Sequence, residues 1–296
     1  AKMSAWHRAH AGNGLLIVIP AGLACAEPVR IDLELADRRR VENVVIVAEE
    51  GSRVTVVEHL RSAAGAGAAF RSAVTDVIAR PGAAVTHISL QDFAENATDL
   101  SARRGIAGRD AAITWIECVF GGGFAQSRIA TALAEEGASV RAKSLFFGRG
   151  EQRFDLSQEV RHLASHTTSD LRTRGALMDS AKSIYRGLVR VEKGTNGCSG
   201  NQREDVLLLG GKAEADSLPN LEIGTDDVRC GHAASVGRVD GEKLFYLMSR
   251  GLDETAARKF LIEGFFAPVV EDMRDAGLED MVQCLIGERV DRAVAR

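Results

Sequence analysis

The sequence predicts a mainly β protein, built as a parallel β-helix with a small helical region at its C-terminus. Three observations carry this reading. Short runs of strand character recur from about residue 13 to residue 240. One four-part phrase keeps returning between them. After Val239 the texture changes from alternating to helical.

The strands come first. Leu15–Ile19 is apolar, and Val44–Val47 is β-branched. Val54–Val57, Ala84–Leu90, Ile113–Val119 and Val140–Phe147 follow with the same character. The phrase between them is a polar pair, then glycine or aspartate, then a small residue, then an alternating run. It appears as Glu49-Glu50-Gly51-Ser52, Arg80-Pro81-Gly82-Ala83, Gly108-Arg109-Asp110-Ala111 and Glu135-Glu136-Gly137-Ala138. Glycine or aspartate supplies a turn with positive φ, and the small residue lets neighbouring turns approach. The phrases recur at about 30 residues, which is solenoid spacing. A β-sandwich also places strands at short intervals. The many Ala, Ser, Thr and Gly in these strands suit closely stacked coils and favour the β-helix over it.

The helical part follows. Residues 1–240 form the β-helix core and residues 241–296 the C-terminal region. Leu244-Phe245-Tyr246-Leu247-Met248 is apolar and closes at Arg250-Gly251. Asp253 caps a helix with apolar positions at Ala257, Leu261, Phe265 and Val269, which Pro268 kinks or ends. A second amphipathic stretch runs through Leu278, Met281, Val282, Leu285 and Val290. Such a region either seals the end of a solenoid or docks a partner.

Composition removes several function classes. A net charge of −4 with no basic patch beyond Arg38-Arg39-Arg40 argues against nucleic acid. No run is apolar for the ~18 residues of a membrane span. Leu15 to Pro20 is too short for a signal peptide. Five scattered cysteines without a C-x-x-C point to a reducing cytoplasm rather than a disulfide framework. Gly210-Gly211-Lys212-Ala213 lacks the spacing and the hydroxyl of a P-loop. His162 and His166 are spaced as in a zinc protease, but Leu163 stands where the catalytic glutamate would be. They read as hydrogen-bonding residues. With 5% aromatics, and Asp226-Asp227 pointing to opposite faces, a sugar-cleaving β-helix is disfavoured. Cys25, Cys118 and Cys284 lie in apolar surroundings and read as packed.

The constellation with chemistry is Cys230-Gly231-His232. On a strand, positions i and i+2 share a face, so a thiol and an imidazole project together. Both are metal ligands, yet two donors make half a site. Cys198 and Glu204 are further candidates from this chain, and another subunit is the alternative source. A buried cysteine beside a structural histidine is the plain reading of the same residues.

The stretch from Ser183 to Phe266 adds a resemblance. It contains Tyr185-Arg186-Gly187-Leu188-Val189, Asn201-Gln202, Leu207-Leu208-Leu209, Pro219-Asn220-Leu221-Glu222-Ile223, Asp226-Asp227-Val228-Arg229-Cys230-Gly231-His232 and Ser249-Arg250-Gly251. In order and nearly in spacing it resembles the C-terminal core of the SufB/SufD family of iron–sulfur cluster assembly scaffolds. The resemblance implies a right-handed parallel β-helix, pairing through β-helix ends as a homodimer or heterodimer, and binding of the ABC-type ATPase SufC by the helical region. It implies a scaffold rather than an enzyme, with a transient iron–sulfur cluster at the interface and Cys230 and His232 tied to its assembly. Gly231 and Ala233 flank the histidine where SufB carries Glu-His-Glu, and Arg203 and Glu204 follow Gln202 without a cysteine. At this motif the resemblance is to SufD, whereas Tyr185–Val189 leans toward SufB. The chain begins almost at the β-helix, so a compact form without the family's N-terminal helical domain is expected. An interaction subunit that binds no metal, and only bridges ATPases and a partner scaffold, is the alternative.

Overall fold

The turn phrases become a stack in space. In the computed structural model, which describes residues 2–36, 38–65 and 67–294, Gly51, Gly82, Asp110 and Gly137 all have positive φ, at 66°, 68°, 55° and 75°. Three of them are tied to the next coil: Gly51 N–H donates to the Pro81 carbonyl, Gly82 to Arg109 and Asp110 to Glu136. The small residues after them, Ser52, Ala83, Ala111 and Ala138, are wholly buried. Two further members continue the series. His166 (φ 57°) donates to the Asn196 carbonyl and Gly197 (φ 66°) to Asp227. His166 is thus a turn residue in a left-handed position.

Between these turns run sixteen strands among the described residues. The odd ones are β1 (Asn13–Ile19), β3 (Arg39–Ala48), β5 (Ala69–Ala79), β7 (Ala97–Ala107), β9 (Phe124–Leu133), β11 (Arg153–His162), β13 (Lys182–Val191) and β15 (Glu214–Ile223). They form one eight-stranded sheet in that order. The even ones are β2 (Val29–Leu35), β4 (Arg53–Ser62), β6 (Ala84–Asp92), β8 (Ala112–Val119), β10 (Ser139–Gly148), β12 (Thr168–Leu177), β14 (Cys198–Leu208) and β16 (Val228–Gly237), and they form the second. All pairing is parallel, for example Lys182 with Glu214 and Thr98 with Phe124, so one coil takes about 30 residues. This is the parallel β-helix that the sequence predicts.

Alternation decides what each strand buries. In β8, Ile113, Trp115 and Glu117 point inward, while Ile116 and Cys118 point outward. The inside is apolar toward the turn stack, with Val54, Val56, Val85, Ile113, Trp115 and Val140 in one cluster. Along its middle runs a polar column. Glu58, Ser89, Glu117, Ser144, Thr173 and Glu204 occupy successive register positions of the even sheet. Partners from the odd sheet satisfy much of it. Arg103 donates to Glu117 (2.6 Å), Ser89 (2.6 Å) and Ser127 (3.1 Å). Tyr185 donates to Gln158 (3.1 Å), which donates to Ser144 (2.7 Å).

Helices α2 (Gly241–Ser249), α3 (Glu254–Val270) and α4 (Glu279–Val294) follow the last strand. Asp240 caps α2 by accepting from Glu242 and Lys243, and Asp253 caps α3 by accepting from Ala256. Pro268 does not end α3 where it stands; the helix continues to Val270. Helices α3 and α4 do not seal the solenoid end either. They fold back along the outer face of the even sheet. Ile262, Phe266, Val269, Val282, Ile286 and Val290 cover Ile88, Leu90, Ile116, Cys118, Leu145 and Phe147. Polar anchors fix this docking: Arg289 donates to Asp92 (2.6 Å), Lys143 pairs with Asp272, and Arg174 donates to the Phe265 carbonyl. The reason is the even sheet itself, whose outer face is apolar at its centre and needs a cover.

A helix that the alternating pattern does not announce, α1 (Lys2–His10), crosses the odd sheet. His7 is clamped there between Ser72 and Asn43, each at 2.9 Å, and Trp6 packs edge-on against Phe70.

Candidate functional site

Because the C-terminal helices lie along the side, β15 and β16 remain the outermost strands of their sheets. Their outer edges have no strand beside them among the described residues. Leu218, Ile223 and Val236 are exposed there.

Cys230 and His232 stand on β16. Their register partners on β14 are Gly200 and Gln202. Gly200 and Gln202 belong to the inward-facing set of β14, so Cys230 and His232 both face the solenoid interior from its last coil, about 7 Å apart along the strand. Cys230 is half-buried and His232 exposed. Gly200 makes the room: a Cβ there would lie 3.3 Å from the Cys230 Sγ and 2.8 Å from Val189. Burial pushes the Cys230 thiol up, a hydrogen bond from the Gly200 backbone pulls it back, and nearby Cys198 adds to the rise. A metal ion would have to displace the proton of a thiol that holds it firmly.

Cys198 lies inside the same face, one step along β14 from Gly200. It is fully enclosed, 3.4 Å from the Thr167 hydroxyl. Thr167 also contacts His162 Nδ1 (2.7 Å), and His162 Nε2 contacts Ser169 (2.9 Å). His162 is therefore the hydrogen-bonding residue that the sequence suggests, and burial holds its pKa down to about 4. Cys198 sits at the end of this buried chain.

Glu204 is two inward positions beyond Gly200. Burial raises its carboxyl to about 7, with Ser217 pulling it back slightly. Among the described residues, no three of His, Cys, Asp and Glu converge as a metal-holding group. Cys230 and His232 come together on one face, while Cys198 and Glu204 share that face without closing a ligand shell. Of the other cysteines, Cys118 is buried beneath α3 and α4 and Cys25 is half-buried. Cys284 departs from the packed reading, because it is exposed on α4.

A second surface lies on the helical region, which the sequence reads as either an end cap or a docking element. Helix α2 buries no residue, and Phe245, Tyr246 and Met248 are exposed, as is Phe260 on α3. The signal was present in Leu244–Met248. Five consecutive apolar residues cannot share one face of a nine-residue helix.

Comparison with known proteins gives this arrangement a context. The family described as "SUF system FeS cluster assembly, SufBD core domain" matches residues 33–265. This chain belongs to the SufBD family. It is 34% identical over 292 residues to the iron–sulfur cluster assembly protein SufD of Bacillus subtilis, covering 98% of this chain and 67% of that protein. It is 27% identical over 274 residues to SufB of the same organism, covering 92% of this chain and 59% of that protein. A SufBD family protein of Mycobacterium leprae is 31% identical over 261 residues, which are 87% of this chain and 30% of that relative. The SufBD match spans the polar column, the Cys230–His232 strand and most of α3.

Proposed function

We propose that this chain is a scaffold subunit for iron–sulfur cluster assembly, the process named for its SufD and SufB relatives. In this reading the open coil pairs with a second SufBD-type coil, from another copy or from a different scaffold chain. Cys230 and His232 then face the junction and hold iron or a nascent cluster as cargo. The observation that carries the reading is the pairing of a thiol and an imidazole on one face of an edge strand. One chain supplies two donors, and a cluster site needs about four, so the geometry calls for a partner. An edge strand with free N–H and C=O groups is itself a template for pairing.

The exposed aromatics of α2 and α3 support a second contact, with an ABC-type ATPase of the SufC kind. ATP hydrolysis would belong to that partner and not to this chain. Among the described residues no helix is long and apolar enough to cross a membrane.

The test is anaerobic purification of the tagged chain from its own host, with mass spectrometry of what accompanies it and iron analysis of the complex. Stoichiometric ATPase, a second scaffold chain and iron that is lost in Cys230→Ser and His232→Ala support the reading. Iron content unchanged by both substitutions removes these residues from the site. The incomplete ligand shell favours one other reading, a bridging subunit that binds no metal. That subunit would recover the same partners with no iron under reconstitution.

A further inference from the structure

The outer face of the even sheet changes character where α3 and α4 leave it. Lys143 of β10, Arg172 of β12 and Arg203 of β14 are successive register partners. Three cations therefore stand in one row, at a strand spacing of about 4.8 Å. Like charges directly opposite one another destabilise a sheet. By contrast, the odd sheet sets Asp76 opposite Arg104, Lys182 opposite Glu214 and Arg190 opposite Glu222. We propose that this cationic row docks a partner protein through a surface rich in carboxylates, beside the open coil.

Ion pairs within the chain do not neutralise this face. Arg172 reaches Asp170 on its own strand (3.0 Å), Arg203 reaches Asp205 (2.7 Å), and Lys143 reaches Asp272. The outward positions of these strands and of β16 also hold Arg141, Arg174 and Arg229. Six cations thus stand against three carboxylates, in a chain whose net charge is −4. The side chains of Arg172 and Arg203 are 62% and 64% exposed, so both remain open to a partner. Arg141 and Arg229 are exposed and form no ion pair among the described residues. Arg174 is half-buried. Burial pushes its pKa down, Asp205 pulls it back, and the Arg203 and Arg172 charges press it down again, which shows how close the three guanidinium groups lie.

The setting selects carboxylates on a protein. Past Arg229, the outward residues of β16 are Gly231, Ala233, Ser235 and Gly237, so no long side chain stands between the open edge and Arg203. A surface laid on that edge meets guanidinium forks, which bind carboxylates through two parallel hydrogen bonds. Asp170 and Asp205, set among the arginines, repel a run of phosphates but can pair with cations on a protein surface of mixed charge. The row escapes a search for basic runs, because its members lie about one coil apart in the sequence. Cys230 and His232 face the interior and take no part in it, so the docking face stands or falls separately from the proposed cluster role.

The test uses the full chain and a fluorescein-labelled oligoglutamate peptide, read by anisotropy. The peptide should bind at low salt and be released as salt rises. Arg172→Gln combined with Arg203→Gln should weaken binding about five-fold. Arg104→Gln combined with Arg128→Gln, at equally exposed positions of the odd sheet, should leave it unchanged. No binding by the wild type, or an equal loss in both double variants, overturns the proposal. Inorganic polyphosphate or a DNA duplex that displaces the label better than unlabelled oligoglutamate overturns the assignment to protein carboxylates. Arginine footprinting of the wild type with phenylglyoxal decides the matter if a variant does not fold. Bound peptide should protect Arg172 and Arg203 and leave Arg104 and Arg128 reactive. Protection of the odd-sheet pair, or of neither pair, overturns the proposal.

Discussion

The carboxamide of Gln202 occupies the space that a side chain at Gly187 would fill. The two residues lie on opposite sheets, and the interior there is closed only because one of them has no Cβ. Gly187→Ala should therefore destabilise the last coils by about 1–3 kcal/mol, as overpacking does. Thermal melting checks this, and the Gly187→Ala, Gln202→Ala double variant should recover part of the loss.

Arg289 is a long-range polar anchor of the helical region. It reaches Asp92 at 2.6 Å and lies over the Phe120 ring at 4.7 Å. Arg289→Ala leaves Asp92 without that partner and removes packing, at a cost of roughly 1–3 kcal/mol. Hydrogen exchange should rise in α3 and α4 while the strands of the even sheet stay protected. Uniform loosening of the whole chain would show that the helices and the sheet unfold as one unit.

Two buried groups give stability opposite pH slopes. Burial holds His162 to about 4, below its ordinary 6.5. As pH falls from 6.5 toward 4 the unfolded chain takes up a proton that the folded chain refuses, and stability is lost. Burial raises Glu204 from 4.5 to about 7. Its contribution is full below pH 4.5 and is lost as pH rises through 7. Glu204→Gln should accordingly gain on the wild type between pH 4.5 and 7 and run parallel to it above. A melting series across pH reads the difference directly.

Cysteine accessibility separates the thiols. Burial, with Glu117 adding to it, pushes Cys118 far above the ordinary thiol range, beneath α3 and α4. Cys284 is exposed on α4. Brief alkylation of the native protein at pH 8, followed by peptide mass spectrometry, should modify Cys284 and spare Cys118 until denaturant is added. Early modification of Cys118 would mean that the helices leave the sheet readily.

The aromatic surface of α2 predicts a clean separation of binding from stability. Phe245 is 73% exposed and Tyr246 56%. Truncating both to alanine should leave the melting temperature within about 1–2 °C, since exposed side chains contribute little to folding. Recovery of the proposed ATPase partner on anaerobic purification should drop several-fold. An unchanged complex would move that contact elsewhere.

The sequence by itself determined the repeating part of this protein. Turn residues at Gly51, Gly82, Asp110 and Gly137 announce the coils, because only a few residue types accept positive φ. Alternation in β4, β6, β8 and β10 announces the strands. The i and i+2 spacing of Cys230 and His232 guarantees a shared face once the segment is a strand. What it left open is what depends on neighbours distant in the chain. The helical region follows the last strand in sequence, and by order alone it would be its cap. It lies instead along the middle of the body, because the outer face of β6, β8 and β10 is apolar and the burial of that area outweighs adjacency in the chain. That choice leaves β15 and β16 as free edges and sets Cys230 and His232 at a mouth rather than in a core. Local pattern fixes which face a residue takes. Only tertiary packing decides whether that face meets protein, water or another chain.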